Sequence, residues 1–226
     1  MNLAMPREPS QTLRAPGQYA RERGIELRLK SVLVAVAGLL TLLVAWQGVG
    51  MHGLPLVLLE LGVIGAIVGA DRLYSEQAGR WLRGADGERA VGAICAELEA
   101  DGWHAIHDVS LGRGNVDHIL IGPGGIFTIE TKSHRGRIPI DRIYTKMLTQ
   151  AYAEKKLVER ITGRDVQGLL VFSRAYLVGS VPAQRNGVTI LPARMLRGYF
   201  SRRRPVLETT EAAKIHAQLA AALSTI

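Results

Sequence analysis

Asp117 and Glu130 lie thirteen positions apart, and Lys132 follows Glu130 by two. Two apolar runs, 116–121 and 126–131, flank the turn Gly122-Pro123-Gly124-Gly125, a β-hairpin pattern. Side chains alternate along a strand, so Glu130 and Lys132 share one face, and Asp117, at the start of the partner strand, can approach them. Two carboxylates and an ammonium converging on a sheet would make a cation site with a lysine that positions water. That layout suits metal-assisted hydrolysis of a phosphodiester. Mg²⁺ or Mn²⁺ would take oxygens from Asp117, Glu130 and the Thr131 backbone carbonyl, and Lys132 would orient the attacking water and stabilise charge at phosphorus. The loop Ser133-His134-Arg135-Gly136-Arg137 follows directly, so Arg135 and Arg137 are candidate phosphate contacts. Each residue alone has a plainer reading. Asp117 could cap a turn after Gly112-Arg113-Gly114, Glu130 and Lys132 could be a surface ion pair, and Glu88 could complement a helix dipole. His118 alternates with Asp117 and so belongs to the opposite face, as a structural histidine.

The elements that must position these groups follow from periodicity. Residues 86–100 carry an amphipathic helical pattern, 103–109, 116–121 and 126–131 read as strands, and 136–140 could extend the last one. A second helix is expected over 144–161, an apolar strand over 168–173, a short strand over 188–191, and helices over 192–200 and 208–223. The predicted class is α/β: helix, three-stranded antiparallel sheet, helix, strand. Cys95, the single cysteine, lies at helical spacing with Val91, Ile94 and Leu98 and reads as a buried thiol. One cysteine excludes an internal disulfide and a cysteine-rich zinc site.

These residues carry a resemblance. Gly84-x-x-Gly87-Glu88, Asn115-Val116-Asp117-His118, Gly124-Gly125-Ile126-Phe127-x-Ile129-Glu130-x-Lys132 and Gly136 together resemble the nuclease-related domain, the NERD family. That family is assigned to the restriction-endonuclease-like superfamily, whose signature is Asp…(Asp/Glu)-x-Lys. The resemblance implies a site of Glu88, Asp117, Glu130, Lys132 and Gln150. It also implies a divalent cation and a nucleic-acid substrate, with DNA placed ahead of RNA. Its members also occur with transmembrane segments attached.

The remainder of the chain points to a membrane. Residues 31–50 are apolar and uncharged, 54–70 form a second apolar run, and the connection 47–53 has neither Lys nor Arg. Runs of this length span a bilayer core of about 30 Å as helices. Arg28 and Lys30 precede them and Arg72, Arg80 and Arg83 follow, which places both termini and the nuclease-like domain in the cytoplasm. The alternative is a buried helical hairpin in a soluble protein. The expected organisation is a basic tail (1–30), a transmembrane hairpin (31–71), a polar linker (72–83), a nuclease-like domain (84–200), and a basic turn with a C-terminal helix (201–226). Glu60, in the second span, is expected to be protonated and hydrogen-bonded to Thr41. Gly62, Gly65 and Gly69 form a small-residue face suited to packing within the hairpin or to a homodimer. The formal charge of +8 permits nucleic acid, anionic lipid or both as partners. Two functions remain open: a membrane-tethered, metal-dependent nuclease, and a catalytically silent domain that binds nucleic acid or protein at the membrane.

Overall fold

A computed structural model describes residues 14–48, 50, 52–110 and 115–224. The chain divides into two units, Tyr19–Arg83, and Gly84–Ile226 together with Met1–Gln18. The turn Gly112-Arg113-Gly114 and most of the basic tail lie outside the described residues.

The first unit is a helical hairpin. Helix α1 spans Gln18–Leu43 and runs into a π-helical stretch, Val44–Gly48. Helix α2 spans Leu54–Glu97, with Pro55 in its first turn, where a missing N–H costs nothing. The two arms pack antiparallel at Gly38 against Val63, and at Gly24 against Leu82. A Cβ at Gly38 would come within 2.7 Å of the Val63 side chain. Asp71 accepts from Ser75 at 2.5 Å and from Ser31 on the other arm at 3.5 Å. Both helices are long and apolar enough to cross a membrane, and Leu33, Leu39, Leu58 and Leu61 on them are exposed.

Three expectations change here. Residues 72–83 are helical, part of α2, because no proline occurs between Pro55 and Pro123 and polarity alone does not break a helix. The Thr41 hydroxyl donates to the Ala37 carbonyl of its own helix at 2.9 Å, while Glu60 lies beside Leu39, Leu42 and Leu43. A threonine hydroxyl on a helix can reach the carbonyl four residues back, and no hydrogen bond to Glu60 accompanies that local one among the described residues. Gly62, Gly65 and Gly69 meet nothing within 4 Å, so the close contact of the arms falls on Gly38 instead.

The second unit is built on a mixed sheet. Its strands are β1 (His104–Ser110), β2 (Asn115–Gly122), β3 (Gly125–Lys132), β4 (Arg137–Pro139), β5 (Val166–Phe172), β6 (Tyr176–Val178), β7 (Ala183–Arg185) and β8 (Val188–Pro192). Six of them form one sheet in the order β1-β2-β3-β5-β8-β7. The β1–β2–β3 portion is an antiparallel meander, β3, β5 and β8 are parallel, and β7 returns antiparallel. The three-stranded antiparallel sheet expected from sequence is therefore one half of a larger mixed sheet. Helices α3 (Thr145–Thr162), α4 (Leu196–Ser201) and α5 (Thr209–Leu223) complete the unit.

Strand alternation divides the core between the two faces. Leu120, Phe127, Ile129, Leu169 and Val171 meet Val91 and Cys95 of α2, Leu98 just past its end, and Phe200 of α4. Ile119, Ile121 and Ile126 meet Val158 of α3 and Ala212, Ile215 and Leu219 of α5. Leu170 and Phe172 meet Leu148 and Ala151 of α3. The C-terminal helix is thus part of this unit and covers β1 and β2, whereas the sequence set 201–226 apart. Strand β4 does not extend β3 either. It pairs in parallel with β6, forming a separate two-stranded sheet.

Candidate active site

The β2–β3 ladder ends at His118↔Ile129, and the reason places the first carboxylate. Continued register would set Thr131 opposite Val116. The Thr131 N–H is instead taken by the Asp117 side chain, whose Oδ2 accepts at 2.7 Å. On β1, Asp108 adopts φ 50°, a left-handed conformation tolerated by Asp because its short polar side chain bonds locally. Asn115 Nδ2 donates to Asp108 Oδ1 at 3.0 Å. Ile106 and Val109 consequently face the same cluster although three residues apart, as do Val116 and Ile119 on β2. The two strands lose strict alternation at the positions where their aspartates stand.

Glu130 and Lys132 share the face of β3 that meets α3. The Lys132 ammonium pairs with Glu130 Oε1 and donates to Gln150 Oε1 at 3.1 Å. Gln150 Nε2 in turn donates to Glu154 Oε1, one helical turn on, at 3.0 Å. Glu88 enters from α2. Its approach depends on Gly87, where a Cβ would stand 2.7 Å from Ser173 Oγ and 3.0 Å from Ser133 Cβ. Gly87 therefore lets α2 close onto the residues that follow β3 and β5.

Charge explains the electrostatics. Glu88, Asp117, Glu130 and Glu154 surround one ammonium, with Asp108 near Glu88, Glu130 buried at 2% exposure and Glu154 at 7%. Burial, followed by the charges of Asp108 and Glu130, pushes Glu88 up to about 7. Burial, then Glu130 and Glu88, holds Asp117 well above the usual range, against the lowering bond from Thr131. Glu154 is pushed up to about 10 by burial, the Glu130 charge and a hydrogen bond with Glu130. Burial alone would lower Lys132, but the charge of Glu130 and its bond outweigh it and the ammonium is held above its ordinary value. His134 is lowered by burial and by the Lys132 charge, which places it at the rim.

The structure thus brings together all five residues expected from sequence, Glu88, Asp117, Glu130, Lys132 and Gln150. It adds Asp108 and Glu154. Glu154 had a signal: it lies on the apolar face of α3 with Leu148, Ala151 and Val158, where an unpaired carboxylate is costly. Asp108 had none beyond being an acid inside an apolar strand. Arg135 and Arg137 are exposed beyond the end of β3. His118 is fully buried on the α2 face, with its Nδ1 2.8 Å from His107 Nδ1.

The donor chemistry fits a hard cation, since every acidic group offers carboxyl oxygens and the buried Oε2 atoms of Glu130 and Glu154 take no hydrogen bond from an N–H group. The arrangement is not a ready cage. Among the described residues no group of three or more His, Cys, Asp or Glu is placed to hold a metal ion. Lys132 occupies Glu130 Oε1 and the Thr131 amide occupies Asp117 Oδ2.

Residues 83–174 match the family model of the nuclease-related domain, NERD. All five site residues expected from sequence fall inside that stretch. The chain is also similar to an uncharacterized protein of Bacillus anthracis, 24% identical over 90 residues, covering 38% of this chain and 42% of the relative. Among solved structures it is similar to a repair endonuclease from Pyrococcus abyssi, with a TM-score of 0.27 and 17% identity over 50% of this chain and 42% of that one. It is similar too to SfsA of Pyrococcus furiosus in complex with Ca²⁺, with a TM-score of 0.26 and 19% identity over 64% and 53% of the two chains. Superpositions this loose carry no functional weight. The chain spans about two fifths of the length of the curated relative and of the repair endonuclease, and about half of that of SfsA.

Proposed function

We propose that this protein is a membrane-tethered nuclease, dependent on Mg²⁺ or Mn²⁺, that hydrolyses nucleic-acid phosphodiester bonds from the cytoplasmic side. The observation that carries the reading is the cluster of Glu88, Asp117, Glu130 and Glu154 around the Lys132 ammonium at the ends of β2 and β3. Carboxylates held this close repel one another, which together with burial raises the proton affinities of Glu88, Asp117 and Glu154, and a divalent cation relieves that repulsion. The family match over 83–174 supports the same chemistry.

Asp117 and Glu130, with the Thr131 carbonyl, would hold the ion, which would polarise the phosphoryl group and lower the pKa of bound water. Lys132 stays charged at neutral pH and donates to the developing negative charge at phosphorus. Gln150 fixes the ammonium, and Glu154 fixes the Gln150 amide with its oxygen toward Lys132. Glu88, titrating near neutrality, can accept a proton from a bound water or hold that water by donating to it. Arg135 and Arg137 would bind backbone phosphate without reading sequence. DNA is placed ahead of RNA as substrate. The two apolar helices, flanked by arginine and lysine and joined by a turn without either, support a hairpin with both termini cytoplasmic.

One observation favours a second reading. Among the described residues no three carboxylates are arranged for a metal, which suits a silent domain that binds nucleic acid or protein at the membrane. The test is cleavage of plasmid DNA and of RNA by the full chain, purified in detergent from carbonate-washed membranes. Mg²⁺-dependent cleavage lost by about a hundredfold or more in Asp117→Ala and Lys132→Ala is expected. Cleavage equal in wild type and both variants rejects the enzyme, and recovery of the chain in the carbonate wash rejects the tether.

A further inference from the structure

The two-stranded sheet of β4 and β6 continues from the site. Lys132 pairs with Phe172 at the end of β3–β5, and Arg137 pairs with Tyr176 in β4–β6. Two bonds stitch the intervening turns, Ser173 N–H to the Lys132 carbonyl at 3.0 Å and Tyr176 N–H to the Gly136 carbonyl at 2.8 Å. Five residues reach at most about 18 Å, so the small sheet stands beside the carboxylate cluster.

Tyr176 presents its ring to solvent, 53% exposed. The Arg137 guanidinium lies 5.2 Å from the ring centroid and the Arg194 guanidinium, from the turn after β8, 5.4 Å. Both arginines are exposed, and neither has a carboxylate within ion-pair distance among the described residues. The ring is half open to water and lies near two cations that no carboxylate compensates among the described residues. A further stacked arginine of this unit differs: Arg203 lies 4.4 Å from the Tyr199 ring and donates to Gln167 at 2.8 Å, with its partners half-buried.

We propose that Arg137, Tyr176 and Arg194 form a stacking platform for one unpaired base and its flanking phosphates, so that the preferred substrate is single-stranded or locally unwound nucleic acid. The inference rests on the nuclease reading above and extends it to the form of the substrate. In a duplex both faces of a base are covered by its neighbours. Only an unstacked base can lie against an exposed aromatic ring, while arginines beside it engage the backbone. The reach from Lys132 to Tyr176 falls within the span of a few nucleotides, the usual footprint of a single-strand groove. The charge of the platform is opposite to that of the cluster, so a strand would be held by its phosphates at the rim and cut where the carboxylates gather.

The test is fluorescence anisotropy of the full chain in neutral detergent, without divalent ions, using labelled oligothymidylate and a blunt duplex. Oligothymidylate is expected to bind tighter than duplex. Tyr176→Ala should weaken it roughly tenfold, while Tyr176→Phe, which keeps the ring, stays within about twofold of wild type. Arg137→Ala and Arg194→Ala should each reduce the logarithmic salt slope by about 0.7. Equal affinity for the two nucleic acids, or Tyr176→Ala binding oligothymidylate as tightly as wild type, overturns the platform. Cleavage measured alongside separates the two readings: activity lost in Lys132→Ala keeps the nuclease even when Tyr176→Ala changes nothing.

Discussion

Glu154 is the residue whose protonation most shapes the site. As a carboxylic acid it donates to Glu130 while accepting from Gln150, and both bonds orient groups that face Lys132. Gln has the same shape and the same pairing capacity as the protonated acid. Glu154→Gln is therefore expected to retain kcat within about threefold. Glu154→Leu removes the acceptor that orients the exposed Gln150 amide, a loss of roughly 0.5–1.5 kcal/mol, or up to about tenfold in kcat, with KM little changed. Steady-state cleavage rates decide it. A Glu154→Gln enzyme as inactive as Lys132→Ala would mean that the ionised carboxylate itself is required. Asp117, Glu130 and Lys132 were legible in the sequence because a hairpin and the period of two along its strands are sufficient to gather them, and Glu88 and Gln150 because the resemblance to the nuclease-related domain carries them. Asp108 was not, because its role depends on a left-handed backbone that breaks alternation, and no spacing rule reports that.

Among the elements, the β1–β2 pair carries a second titrating device, on the face of the sheet away from the carboxylates. His107 and His118 are cross-strand partners, and one neutral ring donates to the other. Burial, then the neighbouring His107, lowers His118 to about 3. The unfolded chain takes up a proton near 6.5 while the folded chain resists it until about 3. Between those values the unfolded state binds more protons, so stability is present above the unfolded pKa and lost as pH falls. Thermal unfolding is expected at lower temperature with each step of acidification below 6.5, by up to about 1.4 kcal/mol per pH unit from this group. His118→Gln should flatten the dependence in that window, and an unchanged slope would contradict the assignment. Long elements with strong periods, such as β2, β3, α3 and α5, were readable within one or two residues. The three-residue strands β6 and β7 were not, since so few residues carry no period and their partners lie far away in sequence. Polarity over 72–83 suggested a linker because composition marks where apolar burial ends, whereas helix continuity depends on the lack of a breaker.

For the whole molecule, a basic chain carries one acidic cluster. The formal charge is +8, yet the carboxylates cluster around a single lysine, with His134, Arg135, Arg137 and Arg194 along the adjoining strand ends and turns. Such a distribution draws a polyanion to the rim and a cation to the centre. The apolar hairpin and the α/β unit were separable in sequence because their compositions differ so strongly. The central claim is that Asp117 and Glu130 close around one divalent ion beside Lys132. Anomalous diffraction from crystals of the full chain soaked in Mn²⁺ tests it most directly. The account predicts one strong peak in contact with carboxylate oxygens of Asp117 and Glu130, absent from Asp117→Asn crystals. A site without manganese there, or with the metal bound elsewhere and Glu130 still paired to Lys132, would contradict it.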